Sequence, residues 1–177
     1  SIEAIDEKSK ILIVSSISHP DVGALKRSIE SNKKRSVEIV RPKELKSIEN
    51  YQSLILYQPN RDFKDIIESS KTNSKSFFII TGSQTDYQFL NAQNLGFRKN
   101  AINEPEKVSA IFNTNFLPFQ QENIGFSQFS PLVDVFGEFV FSVPNNLLLK
   151  QRLNGIETKQ PLFAAVNNNN YKMVVLF

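Results

Sequence analysis

The chain of 177 residues has no cysteine and a single histidine, His19. The first absence removes disulfides, thiolate metal sites and cysteine nucleophiles together. One histidine and no acidic triplet at loop spacing leave a metal ion without a ligand set, so neither a metal nor a cofactor is expected. There is no G-x-G-x-x-G and no Gly-Lys-Ser/Thr, which excludes dinucleotide and P-loop sites as motifs. Long apolar runs are missing too. The longest span four to six residues, such as 11–14 and 77–80, against the roughly 20 needed to cross a bilayer as a helix. Contact with a membrane is therefore expected only through segments outside this chain.

What is present is ordinary globular composition, 40% apolar and 22% charged, in a length suited to one well-buried domain. The single domain divides into a core over residues 9–93, an excursion over 94–137 and C-terminal strands over 138–177. The chain starts at Ser1 and ends in the apolar run Val174-Val175-Leu176-Phe177, from which a fragment of a longer protein is expected. The formal charge is +3 but uneven. Between residues 26 and 46, Lys26, Arg27, Lys33, Lys34, Arg35, Arg41, Lys43 and Lys46 face only Glu30, Glu38 and Glu44, a local +5 (eight minus three). No aromatic residues interleave for base stacking, so this reads as a solvated face and not a nucleic-acid footprint.

The run KILIVSS over residues 10–16 has the pattern of a strand buried on both faces of a parallel sheet. Ser18-His19-Pro20-Asp21 is a helix-start signature, and Val22, Leu25 and Ile29 recur at helical spacing. Strands at 37–40, 53–58 and 77–80 follow, with a turn or short helix at 42–47 and helices around Phe63 to Ile67 and over 87–92. Four βα units predict an α/β fold: a doubly wound, mostly parallel, flavodoxin-like sheet with helices on both faces. From Asn94 to Gly137 phenylalanines occur without a sustained period, and an irregular Phe-rich excursion is expected. Strands at 139–143, 161–166 and 171–177 complete the chain, the last two forming a hairpin around the asparagines at 167–170.

The fourth strand runs into Thr81-Gly82-Ser83-Gln84-Thr85-Asp86. This order of elements resembles the class I glutamine amidotransferase-like superfamily over most of the chain. In active members the fourth core strand leads into G-x-C-x-G, whose cysteine is served by a histidine after a later strand. Laid on residues 82–86, the motif matches only Gly82; Gln84 stands at the nucleophile position and Asp86 at the closing glycine. The resemblance thus implies a scaffold without the activity. Segments such as KILIVSSISHPDVGALKRSIES, SFFIITGSQTDYQFLN and GIETKQPLFAAV also look like the extracytoplasmic part of bacterial membrane-anchored proteins carrying von Willebrand factor A-type modules. That likeness implies a periplasmic or extracytoplasmic setting, with a cytoplasmic one as the alternative.

Ligands on open α/β sheets gather at the strand carboxyl ends. Ser16, His19, Gln58, Ser83 and Gln84 should therefore share one rim, beside part of the excursion, and hold a small molecule or a partner protein's loop. No catalytic residue is assigned. Two alternatives stand beside this reading. Ser83, His19 and Asp86 could form a serine hydrolase triad, or Ser15, Ser16 and Ser18 before a helix N-terminus could hold a phosphate or flavin.

Overall fold

A computed structural model describes residues 8–168 and 170–177, with the side chains of Asn103 and Asn168 left out. Nine strands form one mixed sheet in the order β2-β1-β3-β4-β9-β8-β7-β5-β6. The parallel half comprises β1 (Ser9–Ser15), β2 (Arg35–Val40), β3 (Ser53–Tyr57), β4 (Ser76–Ile80) and β9 (Tyr171–Leu176). The other half is antiparallel throughout: β8 (Ile156–Asn168), β7 (Asn145–Leu153), β5 (Phe97–Phe112) and β6 (Leu132–Phe141). The expectation of a mostly parallel sheet is corrected accordingly. The fifth parallel strand is supplied by β9, which inserts between β4 and β8.

Helices do pack on both faces of the parallel half. Helix α1 (Pro20–Glu30) places Val22, with Leu25 and Ile29, against Ile13, Val37, Ile55, Tyr57 and Ile80. On the opposite face, α2 (Lys64–Thr72) and α3 (Tyr87–Ala92) cover Leu12, Val14, Leu54, Leu56, Phe77 and Ile79 through Ile66, Ile67, Phe89 and Leu90. Only 3-10 turns stand at Pro42–Glu44 and Arg61–Phe63. The continuous apolar runs of β1 and β3 follow from this two-sided cover, since residues of both parities are buried.

The region read as an irregular excursion contains the longest strand. β5 runs for 16 residues, with a register break between Ala101 and Pro105 where it pairs with β6. Its apolar alternation is missing for a physical reason: of its residues with described side chains, only Phe97, Lys99 and Val108 are buried, and one of these is a lysine. The phenylalanines divide. Phe97 is buried in the main core and Phe112, Phe116 and Phe126 pack on the cluster of Val108 from β5, Leu148 and Leu149 from β7 and Leu162 from β8, whereas Phe119, Phe129 and Phe136 stay exposed. β7 was also not expected, because register shifts around Leu147, Leu149, Lys150 and Arg152 break its period of two. The turn after it carries the strongest hairpin signal: Leu153 pairs with Ile156 across Asn154-Gly155, with φ of +48° and +80°. The later hairpin forms, but the four-residue turn expected over 167–170 is shorter, since Asn167 pairs with Lys172 and Asn168 with Tyr171; Asn169 lies outside the described residues.

The basic run is solvated. Lys33, Lys34, Arg35, Arg41, Lys43 and Lys46 are exposed, and Lys26 pairs with Glu30 at 2.9 Å across one helical turn. Lys34→Ala should therefore change stability by no more than about 0.5 kcal/mol in a urea titration. A larger loss would mean that the run is structural.

Candidate functional site

The carboxyl ends of β3, β4 and β9 surround a pocket of about 310 Å³ lined by His19, Tyr57, Gln58, Thr81, Ser83 and Leu176, with Pro131 to Val133 as the opposite wall. Three of the five expected rim residues, His19, Gln58 and Ser83, thus meet in one pocket beside the former excursion. The other two do not line it. Ser16 accepts a hydrogen bond from Asn60 Nδ2 at 3.1 Å, and Gln84, itself exposed, contributes its main-chain N–H to the Gln58 side chain.

His19 is the N-cap of α1. Its Nδ1 accepts the Asp21 N–H at 3.3 Å, while the Tyr57 hydroxyl lies 3.0 Å from the same nitrogen and donates to Asp21 Oδ2 at 3.1 Å. Burial pushes the Tyr57 phenol up to about 12; a hydrogen bond from Gln58 opposes this rise and the Asp21 carboxylate adds to it. The same Nδ1 also lies 3.3 Å from Asp21 Oδ2, and whether it donates or accepts follows the tautomer. A general base for Ser83 would need Nε2 to reach the serine hydroxyl.

Asp86 is engaged elsewhere. It caps α3 by accepting the Phe89 N–H at 2.8 Å and pairs with Arg61 at 3.4 Å. The acid next to His19 is Asp21, at 3.3 Å. The triad of Ser83, His19 and Asp86 is therefore not assembled, and no hydrogen bond joins Ser83 to His19 among the described residues. The turn itself is relaxed. Thr85 closes it through its N–H to Gly82 O at 3.0 Å and its hydroxyl, which accepts the Gly82 N–H at 2.9 Å. A strained strand-to-helix elbow would hold its nucleophile in an unfavourable conformation, but among the described residues the non-glycine positions with positive φ are Gln58, Ser74, Asn94 and Asn154. Strain sits at the end of β3, not in the turn after β4.

The phosphate reading loses most of its hydroxyls. Ser15 is buried and donates to Ile17 O at 2.8 Å, and Ser16 is held by Asn60. Ser15 and Ser18 line a separate pocket, where Arg41 is accompanied by Glu44, and no lysine or arginine lines the rim pocket. Among the described residues no group of three or more His, Asp or Glu side chains could hold a metal ion.

Behind the pocket wall stands a polar cluster that the sequence reading missed. Lys99 Nζ is 2.7 Å from Asp134 Oδ2, with side chains 2% and 5% exposed, and the Tyr87 hydroxyl donates to the same oxygen at 2.8 Å. The lysine lies 4.8 Å from the centre of the Tyr87 ring and 4.6 Å from that of Phe139. Burial lowers the Lys99 pKa and Asp134 opposes this, while burial raises that of Tyr87 well above its ordinary value. The cluster ties α3 to β5 and β6, and Asp134 directly follows the wall residues Leu132 and Val133. Asn91 of α3 adds a two-sided clasp, bonding both the N–H and the C=O of Lys99 at 2.9 Å.

No family model and no curated protein sequence matches the chain. Its fold is similar to part of an exo-β-1,4-mannosidase, Op5Man5, from Opitutaceae bacterium strain TAV5, with a TM-score of 0.54 and 9% identity, covering 96% of this chain and 31% of that one. A β-galactosidase from the psychrophilic Marinomonas ef1 aligns with a TM-score of 0.48 and 13% identity over 96% of this chain and 26% of its own. The chain thus spans about a third of the mannosidase and about a quarter of the galactosidase. The shared feature is a mixed α/β domain of a kind that also occurs inside a glycoside hydrolase.

Proposed function

We propose that this is a non-catalytic, amidotransferase-like domain that recognises a small molecule or a partner's loop at the rim, within a larger, membrane-anchored extracytoplasmic protein. One observation carries the absence of chemistry: the turn after β4 is a relaxed, internally bonded loop whose Gln84 N–H is already satisfied by Gln58. Two more support recognition and a larger parent. The pocket combines polar groups on one side with Pro131, Leu132 and Val133 on the other, and the same scaffold occurs as about a third of a longer glycosidase chain. A neutral, hydroxyl-rich ligand suits the lining better than an anion, since Asp21 is its one carboxylate and no cation offsets it.

The test is a titration of the labelled domain with a panel of sugars, amino acids and small anions, followed by amide shifts. Saturable shifts clustered on His19, Gln58, Ser83, Leu132 and Val133 are the expected result. Binding confined to the hairpin at 167–170 or to residues 33–35 would sink the proposal.

A further inference from the structure

Gln58 follows β3 with φ of +46°, in the left-handed region that a residue with a Cβ disfavours. Its main-chain N–H donates to Ile80 O at 2.7 Å, which pins the residue there. Its side chain does not extend into solvent: the residue is 7% exposed, and Oε1 accepts the Gln84 N–H at 2.7 Å. The carboxamide fills the space over Gly82, where a Cβ would stand 2.8 Å from Gln58 Cδ and 2.9 Å from Nε2. The neighbouring Tyr57 hydroxyl lines the same pocket and donates its own proton to Asp21 at 3.1 Å, which leaves its oxygen an acceptor. A backbone donor for a carbonyl, occupied by the chain's own amide, thus stands beside an acceptor for an NH2. Strained residues persist where their surroundings over-determine them, and they concentrate at ligand clamps and switches.

We propose that Gln58 is an internal plug whose carboxamide occupies a preformed amide subsite beside the turn after β4, and that a ligand or partner loop enters by presenting a neutral amide in its place. Charge sets the selectivity. Asp21 stands behind the Tyr57 hydroxyl and no cation lines the pocket, so a carboxylate of the same shape meets a repulsive field that a neutral amide does not. The proposal names a ligand chemistry for the rim and rests on the rim being the binding surface. The plug itself can be tested with a surrogate.

Gln58→Gly empties the subsite, and glycine adopts φ of +46° without strain. The full chain, as wild type and as Q58G, is titrated with acetamide and with acetate while amide shifts are followed. Acetamide should bind Q58G with saturable shifts at Gly82, Ser83 and Gln84, and both acetate on Q58G and acetamide on wild type should bind about ten-fold more weakly or worse. Equal responses to acetamide and acetate, shifts away from the turn, or equal affinity for wild type and variant would overturn the plug. Gly82→Ala guards against a Q58G that fails to fold, because its methyl displaces the carboxamide. The Gln84 amide should then exchange with solvent about ten-fold faster or more, and unchanged exchange counts against the proposal. Selective acetamide binding by Q58G, with no panel molecule shifting the wild-type rim, would keep the plug and remove the recognition reading. The converse pattern would remove the plug alone.

Discussion

Lys99→Met should destabilise the domain by about 3 to 5 kcal/mol near neutral pH, because it leaves the Asp134 carboxylate buried without its cation. That carboxylate is already under-served: Asp134 Oδ1 is buried with no hydrogen-bond partner among the described residues. The pH dependence separates this cause from lost packing. Asp134→Asn shows it on the lysine. It deepens the depression of the Lys99 pKa, and a lysine depressed in the fold regains stability as pH rises toward about 10.4. Replacing both residues with apolar ones of similar volume should cost far less than either single change. Urea titrations across pH decide the matter. Equal, pH-independent losses in both single variants would mean that the pair acts only by filling space.

Ile13→Ala should cost about 2 to 5 kcal/mol. Ile13 is fully buried at the centre of β1, with Ile39 and Ile55 as its neighbours across the sheet and α1 packed above. A loss below about 1 kcal/mol in denaturant would show that the α1 face is not a packed layer.

The first four parallel strands were legible in the sequence because two-sided burial writes itself as apolar runs, as in Ile11 to Val14 and Leu54 to Leu56; the parallel insertion of β9 was not. The antiparallel half hid its strands wherever burial and hydrophobicity parted. β5 spends a buried position on Lys99, and β7 places three leucines in a row across bulges. The Asn154-Gly155 turn could have revealed the β7–β8 hairpin, because its geometry depends on local sequence alone. The rim was legible from topology, which brings strand ends together whatever their side chains. Its internal bonding was not, since nothing local to Gln58 or to Gln84 announces a contact across 26 positions. The Lys99–Asp134 pair, 35 positions apart, was hidden in the same way.

The proposal to be tested is that the rim beside the turn after β4 binds without performing chemistry. Reaction of the folded domain with a serine-directed fluorophosphonate, read by intact mass and peptide mapping, tests it most directly. No adduct is predicted, because His19 is held as a helix cap through Nδ1 and Asp86 through the Phe89 N–H and Arg61. Stoichiometric labelling of Ser83 that is lost in His19→Ala would contradict the account and establish a hydrolase.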